Sequence, residues 1–332
     1  MSASAPGAGT ALFRLDGRGV IEVSGGDRIR WLDGMLSQDV KALAAAGRGA
    51  GGHALLLTQQ GRIVSDLHVL VDEDRVWLEG ERAAFPAVRA RLERYIVADD
   101  VALGDLGERV ARLALEGPAC EDVLRAASGA APELGPGAWT ECSLAGVAVR
   151  VARFALAGGP ALQLFTPAER ADEVARALLA AGEASGVVLG DAMDLERRRV
   201  EAGVPRAGRE LDESVLPAEA RLLESAVSFR KGCYTGQEVV ARLHSRGRRN
   251  HLLVGLRFEG VGGVLPAKGA PLQLEGRRVG EVTSAVPSPR FGDIGLGFVR
   301  HEHAEPGTRL ALEPGVAEGA ALPFGGDAPE RA

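Results

Sequence analysis

Residues 230–240, RKGCYTGQEVV, place a lysine, a cysteine and a tyrosine within four consecutive positions. These types are rare in the chain, which contains 3 Cys, 2 Tyr and three Lys among its 332 residues. A thiol beside an ammonium group can act as an activated nucleophile or as a metal ligand. The segment therefore predicts a functional loop in which Lys231 supplies a positive charge next to Cys233.

The glycines of this segment predict a tight loop that leads into a helix. Gly232 and Gly236 permit positive φ, Thr235 is the predicted N-cap, and Glu238 would complete a capping box. Cys233 is then expected just ahead of a helix N-terminus, where the helix dipole and the neighbouring cation favour the thiolate. The alternative interpretation is that Cys233 is a small apolar side chain in a glycine turn.

The next segment, ARLHSRGRRNH, forms together with Arg230 and Lys231 the densest positive patch of the chain. Its basic residues are Arg242, Arg246, Arg248, Arg249, His244 and His251. Such a patch suits a ligand that bears a carboxylate or a phosphate, although a solvated interdomain linker explains it equally well. The two histidines have no acidic partners at metal-ligand spacing, so no metal site is predicted.

Two acidic residues occur in otherwise apolar segments. In GRIVSDLHVLV, strand alternation places Asp66 and His68 on one face, where both could line a cleft. Glu201 ends the helix predicted from LERRRVEAG, with Gly203 as its C-cap. The helix dipole disfavours a carboxylate at that end, which suggests another reason for its presence. On local pattern alone, a surface role is the preferred interpretation for Asp66 and Glu201.

Composition limits the class of protein. With 46% hydrophobic and 25% charged residues, the chain is typical of a folded protein of two or three domains. A net charge of -6 argues against bulk nucleic-acid binding. The segment MSASAPGAGTALFRL lacks the basic and apolar regions of a signal peptide, so none is expected, and no apolar run approaches the ~20 residues that span a bilayer. Three scattered cysteines argue against a disulfide framework, so a cytoplasmic location is expected.

The elements that must position these residues are predicted in the order α+β, α+β, β. A hairpin made of ALFRL and VIEVSG is followed by one helix over 27–40. A loop at 128–138 is the first candidate domain boundary. From residue 250 onward, short strands separated by Gly and Pro turns predict a small β-barrel. The Ala-, Gly- and Pro-rich tail from residue 315 is expected to fray.

The motif KGCYTGQE resembles the signature of the YgfZ proteins, folate-binding relatives of the glycine-cleavage T-protein, an aminomethyltransferase. WLDGMLSQDV, LLTQQGRIVSDLHV and RRRVEAGVP resemble the family's N-terminal helix, central strand pair and folate-proximal loop in the same order. The resemblance covers about residues 10–312. The chain departs from the T-protein in two respects. It has the cysteine motif, which the T-protein lacks, and it has Ser65-Asp66 where the matching T-protein strand usually reads Asp-Asp. Both departures argue against glycine cleavage.

The resemblance implies an α+β protein with three domains in a clover-leaf around a tetrahydrofolate channel. The implied units are a discontinuous folate-binding domain carrying the motif (10–50 and 138–245), a second α+β domain (51–137), a C-terminal β-barrel (250–314) and a flexible tail (315–332).

The resemblance also implies roles for individual residues. Asp66 would face the reactive nitrogen of the folate, and Glu201 would bind the pterin ring. The predicted catalytic residues are Cys233, Lys231 and Asp66. The residues predicted to bind tetrahydrofolate, or a one-carbon derivative of it, are Asp66, Glu201, Tyr234, Gln237, Arg242 and Arg246.

Three functions are compatible with these features. The leading hypothesis is a tetrahydrofolate-binding factor for the assembly or repair of iron–sulfur clusters, such as those of tRNA methylthiotransferases, with Cys233 as the reactive thiol. The alternative is a folate-dependent aminomethyltransferase or other one-carbon transferase that depends on Asp66. The third is a non-catalytic adaptor that binds an acidic partner or tRNA. Iron–sulfur enzymes or assembly proteins are the expected protein partners, and a monomer without membrane contact is expected.

Overall fold

The computed structural model describes residues 9–130, 132–247 and 249–325. The helices in these ranges are α1 (Arg28–Met35), α2 (Val40–Ala45), α3 (Phe85–Glu93), α4 (Cys120–Ser128), α5 (Ala171–Gly182), α6 (Ala192–Ala202), α7 (Leu223–Ala226) and α8 (Gln237–Arg246). In this part of the chain, no helix is long and apolar enough to cross a bilayer.

The strands form two open sheets and a closed barrel. The first sheet contains, in spatial order, β11 (Val188–Leu189), β1 (Ala11–Arg14), β7 (Val110–Glu116), β10 (Ala161–Pro167), β9 (Val147–Ala152) and β8 (Trp139–Leu144). The second contains β3 (Gly51–Leu57), β4 (Ile63–Val71), β5 (Arg75–Glu81), β2 (Arg18–Ser24) and β6 (Ala102–Asp105). The barrel contains β12 (His251–Glu259), β15 (Gly292–Arg300), β14 (Arg277–Ser288), β13 (Pro271–Leu274), β16 (Arg309–Ala311) and β17 (Val316–Ala320).

Helices cover one face of each sheet, as the alternation of apolar residues along the strands requires. Val123 of α4 and Leu178 of α5 pack in one core with Leu115 of the first sheet. Leu32 of α1 and Leu92 of α3 belong to the core of the second sheet. The predicted α+β class with a closed C-terminal β-barrel is confirmed.

The predicted N-terminal hairpin is wrong. β1 pairs with β7 and β11 of the first sheet, whereas β2 pairs with β5 and β6 of the second. The chain does turn at this point, since the Arg18 amide donates to the Leu15 carbonyl at 3.0 Å. Two apolar strands around a glycine turn are equally suited to separate sheets, so the sequence pattern cannot choose their partners.

The single helix predicted over residues 27–40 is two helices. α1 ends at Met35, and Leu36 forms a β-bridge with Leu56 before α2 begins. Ser37 then donates to the Ala226 carbonyl at 2.5 Å and accepts from the Leu55 amide at 2.8 Å. These tertiary hydrogen bonds replace the helical ones over residues 36–39, which is why helical spacing alone mispredicts the segment.

Strand pairing also differs from the predicted domain boundaries. Residues 18–105 supply all five strands of the second sheet, and residues 11–14 join 110–189 in the first. The predicted boundaries at residues 51 and 137 therefore divide both sheets. The predicted flexible tail also begins too early, because β17 closes the barrel between β12 and β16. The Ala- and Gly-rich composition of this segment does not indicate a strand. The strand forms nevertheless, because its backbone groups hydrogen-bond to the neighbouring strands.

Candidate functional site

A cavity of about 530 Å³ lies between the two sheets, beside residues 203–206 and 220–225. The segment that carries the chain from β1 to β2 forms part of its wall. Apolar residues of the wall include Phe13, Leu15, Leu156, Leu195, Val204 and Leu222. Charged and polar side chains make up much of the remaining wall, among them Asp16, Glu81, Asp191 and Glu196. The volume and the combination of apolar and polar groups are typical of a site for a small organic ligand.

Asp66 and His68 of β4 both line this cavity, on the shared strand face that alternation predicts. The His53 imidazole lies beside Asp66, with 3.2 Å between Nε2 and Oδ2. Burial raises the pKa of Asp66, but the His53 hydrogen bond and the charges of His53 and Arg18 outweigh it, so the pKa lies below its ordinary value. Asp66 is therefore an ionised carboxylate in the cavity wall at neutral pH.

A stack of three rings supports the His53–Asp66 pair. The His53 and His68 rings are 4.8 Å apart, and the His68 and Phe154 rings 3.7 Å apart, with an interplanar angle of 12° in both cases. Burial lowers the pKa of His68 to about 4, against the opposing effect of Glu79. His68 is thus neutral at pH 7 and holds His53 by ring packing.

Behind the stack lies a fully buried carboxylate, Glu79 of β5. Arg18 contacts both of its oxygens, at 2.6 and 2.8 Å, and Arg112 donates to one of them at 2.8 Å. His68 Nδ1 lies 3.3 Å from Glu79 Oε2. Burial raises the pKa of Glu79, but the charges of Arg18 and Arg112 outweigh burial and hold it well below its ordinary value. The cluster joins strands β2, β4, β5 and β7 behind Asp66.

A second ion-pair network shapes the opposite wall. Arg199 of α6 is buried and donates to Glu196 at 2.7 Å and to Glu210 at 2.9 Å. It also donates to the Val204 carbonyl at 2.6 Å, and Arg206 Nη1 lies 3.3 Å from Glu196. These contacts hold the loop after α6 against the cavity.

Glu201 lies on another side of α6 and is not among the described residues that line the Asp66 cavity. Its carboxylate accepts from Ser288 Oγ at 2.7 Å and lies 3.4 Å from Arg197 Nη1. Its carbonyl accepts from the Phe324 amide at 2.8 Å. The Ser288 and Arg197 contacts explain an acidic residue at a helix C-terminus, as compensation for the dipole. They give Glu201 a structural role in joining α6 to the barrel.

Lys231 does not point towards Cys233. Its ammonium group is buried in the turn between α1 and α2, where it donates to the carbonyls of Asp33, Leu36 and Gln38, the last two at 2.8 Å. Its Nζ also lies 3.2 Å from Asp33 Oδ1. Burial lowers the pKa of Lys231, against the opposing charge of Asp33. The predicted role of Lys231 as the activating cation is therefore not supported, and its contacts are structural.

Replacing Lys231 by Met is expected to destabilise the protein by about 3 kcal/mol, because the buried Asp33 carboxylate would lose its buried cationic partner and three carbonyls would lose a charged donor. Lys41→Met is the matched control. Lys41 is 61% exposed and lies 3.6 Å from the other oxygen of Asp33, so its loss should cost under about 1 kcal/mol. The midpoints of urea unfolding measure the stability of both variants. Equal midpoints for Lys231→Met and Lys41→Met would contradict the structural role of Lys231.

The predicted capping box of the motif does not form. α8 begins at Gln237, and the preceding Gly236 has a φ of 85°, without a side-chain cap from Thr235. A Cβ on Gly236 would lie 2.6 Å from the Thr58 carbonyl oxygen, so the loop docks against the β3–β4 turn in a way that only glycine permits. Cys233 is exposed in this loop, whereas Cys120 is buried and Cys142 is partly buried.

The other predicted ligand-binding residues also lie away from the described cavity wall. Tyr234 is buried in the core beneath the motif, where burial raises its pKa to about 12. Gln237 is the first residue of α8, and Arg242 is exposed with its guanidinium 3.8 Å from Glu238. The side chain of Arg246 and the whole of Arg248 lie outside the described residues.

Sequence reasoning missed several residues of the cavity wall, namely His53, Arg18, Arg199, Arg206 and Arg221. The predicted β3–β4 hairpin was a partial signal for His53, because it indicated that a residue near His53 would lie opposite His68. In the structure His53 itself lies opposite His68. A bulge near Leu57 shifts the register, so counting residues from the turn would have chosen the wrong partner for His68. The arginines carry no local signal in an arginine-rich chain.

Comparison with known proteins agrees with this architecture. The family model of the GCVT N-terminal domain matches residues 7–231, and that of the glycine cleavage T-protein C-terminal barrel domain matches residues 252–321. The aminomethyltransferase of Streptomyces avermitilis is 30% identical over 94% of this chain and 86% of its own length. The mitochondrial aminomethyltransferase of Gallus gallus is 32% identical over 88% of this chain and 74% of its own length.

Among solved structures, the crystal structure of glycine cleavage system aminomethyltransferase T from Bartonella henselae superposes with a TM-score of 0.81. It is 24% identical, with 96% of this chain and 86% of that chain covered, and at this identity the likeness shows the fold. The N-terminal family model covers well over half of the present sequence. The chain therefore belongs to the glycine cleavage T-protein family.

Proposed function

We propose that the chain binds tetrahydrofolate, or a one-carbon derivative of it, in the Asp66 cavity and transfers an aminomethyl or other one-carbon unit. The observation that carries this proposal is an ionised carboxylate, Asp66, in the wall of a largely apolar cavity of about 530 Å³. The names of the relatives from Streptomyces avermitilis and Gallus gallus, both aminomethyltransferase, favour the same chemistry.

The wall fits a reduced folate in three respects. Its apolar residues suit a flat ring, Asp66 suits an N–H donor, and arginine side chains suit the carboxylates of the ligand. Tetrahydrofolate, when bound, supplies the nitrogen atoms that carry the one-carbon unit. The residues that would hold it are Asp66 together with Leu156, Leu195 and Arg221 of the wall.

Asp66 would act as hydrogen-bond or proton acceptor. Its Oδ2 is engaged by His53, and its Oδ1 has no hydrogen-bond partner among the described side chains. His53 and the ring stack behind it would keep Oδ1 directed into the cavity. A low pKa favours the charged acceptor over a neutral acid, which suits the orientation of an N–H group and the stabilisation of positive charge on it.

Titration with tetrahydrofolate tests the proposal. Wild-type protein in anaerobic buffer is expected to bind one equivalent in calorimetry, and its Tm should rise as ligand concentration increases, because binding stabilises the folded state. Adenosine monophosphate, which is also a ring with an anionic tail, serves as a control for non-specific anion binding. Absence of heat and of any Tm shift with tetrahydrofolate would contradict folate binding.

The second candidate function is the YgfZ-type role in iron–sulfur cluster assembly or repair. One observation favours it, namely that Cys233 of the KGCYTGQE motif is exposed while the other two cysteines are buried or partly buried. In this role the thiol would react or ligate at the surface, and the cavity would bind folate separately. The adaptor hypothesis, the iron–sulfur partners, the monomeric state and the cytoplasmic location stay predictions.

A further inference from the structure

The five arginines that line the cavity differ in how they are neutralised. Arg14 pairs with Asp172, Arg18 with Glu79 and Glu81, Arg199 with Glu196 and Glu210, and Arg206 with Glu196. Arg221 forms no ion pair with any carboxylate in the part of the chain that the structure describes. It therefore differs from the other four in offering an uncompensated positive charge to the cavity.

The backbone of Arg221 is also unusual. Its φ is 61°, in the left-handed region, which costs about 1–2 kcal/mol for a residue with a Cβ. Two other non-glycine residues of the described chain, Ala145 and Glu275, have positive φ. Both precede a glycine in a tight β-hairpin turn, where such angles are required. Arg221 ends a helical turn instead, since the Leu222 amide donates to the Pro217 carbonyl at 3.0 Å across it, the usual pattern around a left-handed residue at the end of a helix.

One nitrogen fixes the guanidinium group. Arg221 Nε donates to the Leu253 carbonyl of β12 at 2.9 Å. The two terminal nitrogens have no acceptor among the described residues, so they present a planar pair of donors. A planar pair of N–H groups matches the two oxygens of a carboxylate.

The charge of Arg249 makes this position unfavourable without an anion. Burial and the charge of Arg249 both lower the pKa of Arg221. Like charges repel, and a ligand anion bound beside Arg221 in the cavity would offset that repulsion, although Arg249 is not itself among the residues of the cavity wall. The cavity thus has an ionised carboxylate on β4 and an uncompensated cation on the 220–225 segment.

We propose that Arg221 is a specificity-determining residue that binds a carboxylate of the ligand in this cavity. The inference rests on the proposed function, in which the ligand is a reduced folate with a carboxylate-bearing glutamate tail. It differs from the sequence-based prediction that Arg242 is among the folate-binding residues, since Arg242 lies on the surface of α8.

The test compares two probes with four proteins. Tetrahydrofolate carries the tail, and 6-methyltetrahydropterin carries the reduced ring without any carboxylate. The variants are Arg221→Asn, which removes the charge but tolerates positive φ, Arg242→Asn, and Arg277→Asn as a matched control at an exposed position on the barrel. Calorimetric Kd values are measured for both probes with wild type and with each variant.

Arg221→Asn is expected to raise the Kd for tetrahydrofolate about 10- to 100-fold, as for the loss of a charge-assisted hydrogen bond. The Kd for 6-methyltetrahydropterin should stay unchanged, and the Arg242 and Arg277 variants should bind both probes like wild type. The inference is overturned if Arg221→Asn binds tetrahydrofolate normally, or if it weakens both probes equally. It is also overturned if Arg277→Asn has the same effect. Wild-type protein that binds neither probe would overturn the proposed function as well.

Discussion

Asp66→Asn is expected to lower the turnover of one-carbon transfer to tetrahydrofolate by about 10²- to 10⁴-fold, the usual contribution of a positioned acid–base group. Asparagine has the shape of aspartate, and its amide oxygen can still accept from His53. It lacks the negative charge, so it can neither accept a proton nor stabilise a cation on the ligand. The effect is measured as the rate at which the one-carbon derivative of tetrahydrofolate forms, with tetrahydrofolate at a saturating concentration.

Cys233→Ser is the informative comparison for this prediction. Cys233 is exposed and is not among the described residues that line the Asp66 cavity, so turnover should be unchanged in that variant. Urea midpoints of both variants check that each remains folded. If Asp66→Asn supports an iron–sulfur enzyme normally in cells lacking the wild-type protein while Cys233→Ser does not, the YgfZ-type function is favoured instead.

Glu79→Gln is expected to destabilise the protein by about 3–5 kcal/mol, the usual cost of breaking a buried ion pair by removing one partner. The substitution leaves the buried guanidinium of Arg112 without its carboxylate and removes two of the carboxylate contacts of Arg18. Arg18 keeps its ion pair with Glu81, at 2.8 Å, which limits the loss of stability. Urea midpoints of wild type and variant measure the difference.

The effect of Glu79→Gln should depend on pH. The pKa of Glu79 is depressed in the folded protein, relative to an ordinary value of 4.5, so its contribution is fully present above about pH 5 and is lost as pH falls through the folded pKa. The difference between wild type and variant should therefore shrink in acid. Glu93→Gln, which removes an exposed i,i+4 partner of Arg89, should cost about 0.3–0.5 kcal/mol. Equal losses for the two variants would contradict the buried cluster.

The two predictions are linked through the same strands. Glu79 lies behind His68, which stacks on His53, and His53 holds Asp66. A loosened Glu79 cluster would therefore be expected to disturb Asp66 as well as stability. Residual Glu79→Gln protein that is folded but binds tetrahydrofolate poorly would fit this arrangement.

Local patterns in the sequence determined the elements that depend on nearby residues. The β4 alternation places Asp66 and His68 in one cavity wall, and Gly203 ends α6 in the left-handed conformation with a φ of 72°. The short strands after residue 250 form the predicted barrel. These features follow from strand period, glycine conformation and turn spacing, which act over a few residues. The resemblance stated from the sequence also named the superfamily that the family models show, whereas the contacts of Lys231 do not support the predicted lysine-activated thiol.

Contacts over long sequence distances were decided only by the tertiary structure. Lys231 binds three carbonyls of residues 33–38, the segment in which the predicted helix is interrupted, and β1 and β2 separate into two sheets. Arg221 becomes exceptional only because the other four arginines of the wall acquire carboxylate partners. Arg14 and Arg18 find theirs on the distant elements α5 and β5, and Arg199 and Arg206 find theirs in α6 and the loop after it. An arginine in the sequence has the same charge whether or not it will be paired. Whether that charge is compensated depends on which chain segments the fold brings within hydrogen-bond distance, and the local sequence carries no record of it.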